Sequence, residues 1–270
     1  MPPAFSDAGV VVLTAALCAL LAGCASTKDP RDPLESVNRS VFSFNDTVDK
    51  VATKPVAKGY VAVVPPPVRG GVSNFFGNFR DVTTAVNNLL QGKVKNAFID
   101  VWRITVNSTV GFFGVFDVAS RIGLEKHYED FGQTLGVWGV GDGPYLVLPF
   151  FGPSNARDAV GLGGDYFTDP EFFLFTAVPV NYIVFGTRAV NARANLLDTE
   201  QMLNVAALDR YAFVREAYLQ YRRSQIYNGN PPQEPGSVQT GPHRKTLKEM
   251  EQELDEGNDV KSEPPAPAKQ

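Results

Sequence analysis

Histidine and cysteine are scarce in this sequence: its 270 residues contain two of each. So few ligands cannot furnish a Cys/His zinc site or a disulfide framework, and they leave little for a Cys/His or Ser/His dyad. No metal and no cofactor are expected. Basic charge is also in short supply, with 25 Lys and Arg against 29 Asp and Glu and a formal net charge of -4. Holding a phosphate backbone needs a cationic face, so nucleic-acid binding is disfavoured. The catalytic patterns are missing too. There is no His-Glu-x-x-His. The nearest approach to a Gly-x-Ser-x-Gly elbow is Gly152-Pro153-Ser154-Asn155-Ala156, which fails at its last position, and its histidine would have to be His127 or His243. Gly139, Gly141 and Gly143 recur at a spacing of two with no flanking βαβ pattern, which is not a dinucleotide fingerprint. Enzymatic readings are weak from the outset.

What is present is an apolar composition of 44% with 19 Phe, 24 Gly and 20 Pro. That suffices for one sizeable domain or two small ones. The first 23 residues read as a leader: the apolar run from Val10 to Leu21 is too short to span a bilayer comfortably and ends in small residues. Nothing before Lys28 is basic and Asp7 is acidic, a departure that would fit an initiation site other than Met1. The run closes in Leu21-Ala22-Gly23-Cys24, which resembles the lipobox of bacterial lipoproteins. That resemblance implies cleavage before Cys24, acylation of Cys24, a short anchored linker over 24–31 and, with Ala25 following, sorting to the outer membrane. One acyl chain holds a protein only marginally and several hold it firmly, at about 0.8 kcal/mol per buried methylene.

Helical periodicity dominates the amino-terminal half. Asp32-Pro33-Leu34-Glu35 opens a helix, with Asp32 as cap, Pro33 at the first helical position and Glu35 completing a capping box. Leu34, Val37, Val41, Phe44, Val48 and Val51 then form one apolar stripe, with Phe42 off it, and the helix is expected to stop before Pro55. A second helix starts at Pro65-Pro66-Pro67, with Val68, Val72, Phe75 and Phe79 on one side. A third carries Val82, Ala85-Val86 and Leu89-Leu90 and ends at Gln91-Gly92, and a fourth carries Val94, Phe98, Val101-Trp102 and Thr105. No hairpin signature appears in this half, so its core is expected to be all-helical.

Twelve of the 24 glycines fall between Gly111 and Gly164, mixed with Phe, Tyr, Trp and Pro. This segment is too apolar for a solvated loop and too rich in Gly and Pro for a regular helix. Within it, Arg157-Asp158 has two readings, a local ion pair or cap and a polar contact for a charged headgroup. Phe172 to Thr187 is 16 residues without a charge, interrupted by Pro179 and Asn181 and short of the roughly 20 a spanning helix needs. Two more helices follow, one capped by Asp198 with Gln201. The other begins after Asp209, with Tyr211, Val214, Tyr218 and Tyr221 on one side and Arg215, Arg222 and Arg223 nearby. From Gly229 the chain holds eight acids and five bases with many prolines, the composition of a mostly disordered tail, with a short amphipathic helix around Leu247, Met250 and Leu254.

The pattern of residues resembles the VacJ/MlaA family of outer-membrane lipoproteins. The similarity begins at Asp32-Pro33-Leu34-Glu35, Asn38-Arg39 and Phe44-Asn45 and continues through Asn74-Phe75, Asn78, Leu90-Gln91-Gly92, Arg103 and Asn107. It is densest at Asp130-Phe131-Gly132-Gln133-Thr134-Leu135-Gly136, Gly143-Pro144-Tyr145, Leu148-Pro149, Gly152-Pro153 and Arg157-Asp158, and it covers about residues 32 to 228. The resemblance implies an all-α, ring-like helical domain embedded in the outer membrane and associated with trimeric porins. It implies a channel that removes misplaced phospholipid from the outer leaflet and passes it to a soluble periplasmic carrier, without enzymatic activity. On this reading the segment from Phe131 to Asp158 contributes to the wall of the lipid path. Phe131, Gly132, Thr134, Leu135, Gly136, Gly143, Pro144, Tyr145, Pro149, Arg157 and Asp158 are its candidates, with Arg157 offering a charge to the headgroup. A porin-bound scaffold without transport and a lipid hydrolase using Ser154 are the competing expectations.

Overall fold

The computed structural model describes residues 29–200 and 209–232. The leader, Cys24, Gln201 and the tail segment around Leu247, Met250 and Leu254 lie outside them. The described chain is helical apart from one two-stranded hairpin.

Helix α1 (Glu35–Val48) runs without a break through a π turn (Asp49–Thr53) into α2 (Lys54–Val63). The expected stop before Pro55 does not occur. The π turn is the physical reason: the N–H of Lys54 reaches the carbonyl of Asp49, five residues back, and this widened register admits a proline that lacks its own N–H. Helix α3 (Pro66–Leu90) is one helix of 25 residues where the sequence suggested two. Gly70 lies in open space and Gly71 faces Val115, so the glycine pair lets a neighbour approach rather than ending the helix. Helix α4 (Val94–Thr109) packs along α3. A tight loop, the short α5 (Val118–Arg121) and α6 (Phe131–Val137) follow. The glycine-rich segment is thus more regular than its composition indicated. It holds α6, an antiparallel hairpin of β1 (Tyr145–Leu148) and β2 (Gly152–Asn155) with Tyr145 opposite Asn155, and α7 (Ala156–Thr168). Helices α8 (Glu171–Leu174), α9 (Val178–Asn195) and α10 (Arg210–Ile226) complete the described chain. Residues 197–200 are already helical, so Asp198 lies inside that turn rather than capping it. No helix among the described residues is long and apolar enough to cross a membrane.

The interior is polar and the exterior is apolar. Among the described residues eight hydrophobic side chains are buried against twenty polar or charged ones, while Phe44, Phe98, Trp102, Phe113, Phe151 and Phe167 are exposed. The apolar stripes of α1 and α4 turn largely outward. Asn38 is the buried residue of α1, and Val37, Phe44 and Val51 of its stripe are exposed. On α4 the buried residues are Ala97, Asp100, Arg103 and Asn107, whereas Val94, Phe98, Val101 and Trp102 face out. Sequence periodicity identifies an apolar face but not the medium it meets.

The buried charges are paired along the α3–α4 seam. Asn88 Nδ2 donates to Asp100 Oδ2 at 2.7 Å, and Arg103, with no exposed side-chain surface, reaches Asp81 at 3.3 Å and Asp117 at 3.1 Å. Burial pushes the Asp100 carboxyl upward, opposed by His127 at 2.8 Å and by Asn88. Desolvated charges of this kind are tolerated only when each meets a partner. A small hydrophobic cluster of Tyr145, Val147 and Tyr211, with Val41, Phe42, Tyr218 and Leu219 against it, sits where α1, β1 and α10 meet. Phe42, off the α1 stripe, faces this second apolar environment, edge-on to Tyr211 at 5.6 Å.

Candidate functional site

The sequence motif around Asp32 is a bracket, not a cap. No side chain caps α1, whose preceding residue is Leu34. Asp32 is instead wholly buried and accepts from Asn38 Nδ2 at 2.8 Å, from the Tyr211 hydroxyl and from Arg215 Nη1 at 2.9 Å. Asn38 also substitutes for a strand partner: its Nδ2 donates to the carbonyl of Tyr145 at 3.0 Å and its Oδ1 accepts from the N–H of Val147 at 2.9 Å. Seven residues on, on the same helix face, Asn45 repeats the device on Leu148 and Phe150 at 2.9 Å each. The two asparagines therefore fasten the hairpin edge to α1, and Phe44 meets Phe150 at 5.5 Å outside them. Arg39 and Glu35 pair at 2.8 Å on the exposed side.

A second bracket centres on Asp158. It accepts from Arg157 Nε at 3.0 Å, Arg222 Nε at 2.7 Å, the Tyr218 hydroxyl at 2.5 Å and Asn155 Nδ2 at 2.9 Å. Arg222 continues to Asp130 at 2.6 Å, and Asp130 caps α6 through the N–H of Gln133 at 2.8 Å. Burial pushes Asp130 upward, but the Arg222 guanidinium outweighs it and holds the carboxyl down at about 2. Arg157 is buried and bonded to both Asp158 and Asp142. The ion-pair reading of Arg157-Asp158 is the observed geometry, and the guanidinium is already occupied where a headgroup contact was considered. The inner face of α10 is Tyr211, Arg215, Tyr218 and Arg222, while Tyr221 is exposed.

The remaining candidates of the glycine-rich segment divide. Gly132, Thr134 and Tyr145 are buried, Phe131, Leu135 and Gly136 half-buried, and Gly143, Pro144 and Pro149 exposed. Gly161 packs on the backbone of Gly132, where an added Cβ would fall 2.5 Å from the Gly132 nitrogen. Asp165 accepts from the N–H of Phe131 at 2.9 Å, and burial raises its carboxyl to about 6 against that bond. Its folded pKa lies above the unfolded value of 3.8, so its favourable contribution is full below about pH 4 and lost above about pH 6. Asp165→Asn keeps an acceptor for Phe131. It should gain roughly 1 to 2 kcal/mol above pH 6, after solvent screening, and merge with the parent near pH 4. Thermal unfolding in detergent across that range measures it.

The hydrolase geometry is not assembled. The Ser154 hydroxyl bonds the carbonyl of Asn155 at 3.2 Å and His127 pairs with Asp100, neither with the other, while His243 lies outside the described residues. No metal-ligating cluster occurs among the described residues.

The feature that sequence reading missed is an apolar groove. It has a volume of about 560 Å³ and runs between the first half of α3, the loop after α4 and α9. Helix α3 supplies Val68, Val72, Phe75 and Phe76, the loop Val115 and Phe116, and α9 Ile183 and Val184, with Thr187 as the polar member. The loop is wound under strain. Phe112 and Phe113 both have positive φ, 52° and 56°, a region bulky side chains rarely adopt. Asn74 Nδ2 holds the carbonyl of Val115 at 3.1 Å, and Asn78 packs against Gly114, whose φ of 86° suits only glycine. The result presents Phe112 and Phe113 to the surroundings, Phe113 with 70% of its surface exposed. The pair of phenylalanines between Gly111 and Gly114 was the available signal.

These brackets and the groove coincide with a known family. The profile described as MlaA lipoprotein matches residues 30–225. The chain is 36% identical over 230 residues to the "Intermembrane phospholipid transport system lipoprotein MlaA" of Escherichia coli (strain K12), covering 82% of this chain and 90% of that one. It is 33% identical over 231 residues to the protein of the same name from Haemophilus influenzae, covering 81% and 91%. It also resembles a solved structure described as "Structural basis for maintenance of bacterial outer membrane lipid asymmetry", with a TM-score of 0.62, 35% identity, and coverage of 74% of this chain and 99% of that one. With the profile spanning the asparagine clips, both carboxylate brackets and the groove, the chain belongs to the MlaA lipoprotein family.

Proposed function

We propose that the protein is the outer-membrane lipoprotein of an intermembrane phospholipid transport system. It withdraws mislocalised phospholipid from the outer leaflet and passes it to a soluble periplasmic carrier. The observation that carries this reading is the reversed polarity: exposed Phe98, Val101, Trp102, Phe112, Phe113 and Phe167 around an interior of Asp81, Asp100, Arg103, Asp158 and Arg222. An apolar exterior of this extent suits hydrocarbon, and internally satisfied charges are what a structure embedded there requires. The relatives named for phospholipid transport support the same reading.

In this reading acylated Cys24 anchors the chain at the outer membrane from its periplasmic side, the helices enclose a ring-like path, and a trimeric porin packs on part of the apolar exterior. Leu135, Gly136, Gly143, Pro144 and Pro149 belong to the path wall, which Gly132, Thr134, Tyr145, Arg157 and Asp158 hold in place from behind. A phosphate head cannot cross hydrocarbon unaided, so the path must offer it polar groups while its tails stay in apolar surroundings.

The test is surface-exposed phospholipid in a strain lacking the gene, complemented by the parent gene or by Cys24→Ala. Phospholipid should accumulate in the outer leaflet of the deletion strain, return to the inner leaflet with the parent gene, and remain with Cys24→Ala. Unchanged lipid distribution in the deletion strain, with the protein still bound to porin, would favour a scaffold instead.

A further inference from the structure

Next to Val68 of the groove between α3 and α9 stands Arg69, a cation with no ion-pair partner among the described residues. Its Nε is buried and without a hydrogen-bond partner. Arg103, Arg157, Arg188, Arg193 and Arg222 by contrast each face at least one carboxylate. One helical turn beyond Arg69, on the same face, stands Ser73. Its Oγ accepts from Asn191 Nδ2 at 2.8 Å and from Asn195 Nδ2 at 3.1 Å. Asn191 lies one turn beyond Thr187, the polar lining residue, so hydroxyl, amide and guanidinium groups follow the apolar lining along the two helices.

We propose that this groove seats a single glycerophospholipid, with one acyl chain between α3, the Gly111–Phe116 loop and α9, and with the phosphate held at the rim by Arg69 and Ser73. The inference rests on the transport reading and adds the place where the lipid is held. Charge complementarity selects the occupant: an apolar protein segment would fill the groove but leave Arg69 unpaired, whereas an anionic phosphate next to two aliphatic tails satisfies both ends.

The full-length lipoprotein in detergent micelles is illuminated with phosphatidylglycerol carrying a diazirine at the end of one acyl chain, and adducts are mapped by mass spectrometry. Adducts should concentrate on the peptides holding Phe75-Phe76 and Ile183-Val184. Val184→Trp fills the groove and should lower them about tenfold, as should Arg69→Glu, while Arg69→Lys and Val184→Ala retain them. Diacylglycerol with the same labelled tail lacks the phosphate, so its labelling should be the same in the parent and in Arg69→Glu. Excess inorganic phosphate should not displace phosphatidylglycerol, because the tail contributes most of the binding. Adducts spread evenly over the exposed apolar surface, phosphatidylglycerol labelling unchanged by Arg69→Glu, or full displacement by free phosphate would overturn the proposal. In cells the two readings separate. If Val184→Trp restores lipid asymmetry as well as the parent gene does while losing the adducts, the groove does not hold the lipid in transit, and the proposal falls while transport stands. If deletion leaves asymmetry intact, the transport reading itself falls.

Discussion

Arg222→Ala should be among the most destabilising single substitutions in the protein, at about 3 to 5 kcal/mol. The guanidinium is buried between Asp130 and Asp158, at 2.6 Å and 2.7 Å, and removing it leaves two desolvated carboxylates facing one cavity. Asp158 keeps Arg157 and the Tyr218 hydroxyl, but Asp130 loses the charge that holds it at about 2. Its pKa should rise, and the α6 cap on Gln133 weakens with it. Because Arg222 lies on α10 and Asp130 at the start of α6, the helix should also loosen from its seat. Denaturant unfolding in detergent reads the stability, and limited proteolysis at α10 reads the undocking. A variant with the parental midpoint and parental protease resistance would show that the bracket holds nothing.

Gly161→Ala should cost nearly as much by a different route. An added Cβ would fall 2.5 Å from the nitrogen and 2.6 Å from the Cα of Gly132, and backbone, unlike a flexible side chain, cannot move aside alone. Helices α6 and α7 would have to separate, which costs about 1 to 3 kcal/mol when packing is overfilled, and more here because the Asp158 bracket spans the same two helices. Gly163, two residues further along the same helix but facing open space, is the control: Gly163→Ala should be neutral or slightly stabilising, since alanine favours the helix by about 1 kcal/mol over glycine. Thermal midpoints of the two variants in one detergent should differ by several degrees in that order. Equal midpoints would contradict the close contact.

Much of the helical architecture was legible because amphipathic periodicity survives whatever medium the apolar face meets. The same fact leaves the direction of each apolar face open. Val94, Phe98, Val101 and Trp102 repeat as a core stripe would, yet they face out, and Asp100, Arg103 and Asn107 on the other side form the interior. Pattern reports a difference between two faces, and only the neighbours decide which is inside. Asp32 stands at the helix boundary its motif predicts but does not cap it, since its partners, Tyr211 and Arg215, lie far along the chain. The continuation past Pro55 depended on a π turn, for which sequence carries no firm rule. The groove was invisible for a related reason: Val72, Phe116 and Val184 share no local pattern, and only folding brings them together. The sequence leaves Arg157 open to an ion pair or a headgroup contact, and Asp142, fifteen residues before it, completes the ion-paired geometry the fold adopts.

The proposed function requires the apolar exterior to be immersed in lipid. The sequence contains two tryptophans, and Trp102 on α4 is 60% exposed on that exterior. Trp138→Phe leaves Trp102 as the sole emitter, and the variant can be reconstituted into vesicles of phospholipid brominated along the acyl chains. The bromines should quench Trp102 strongly, and acrylamide in the aqueous phase should quench it little. Fluorescence that ignores the bromines and is quenched by acrylamide would place this face in water and contradict a lipid-immersed exterior.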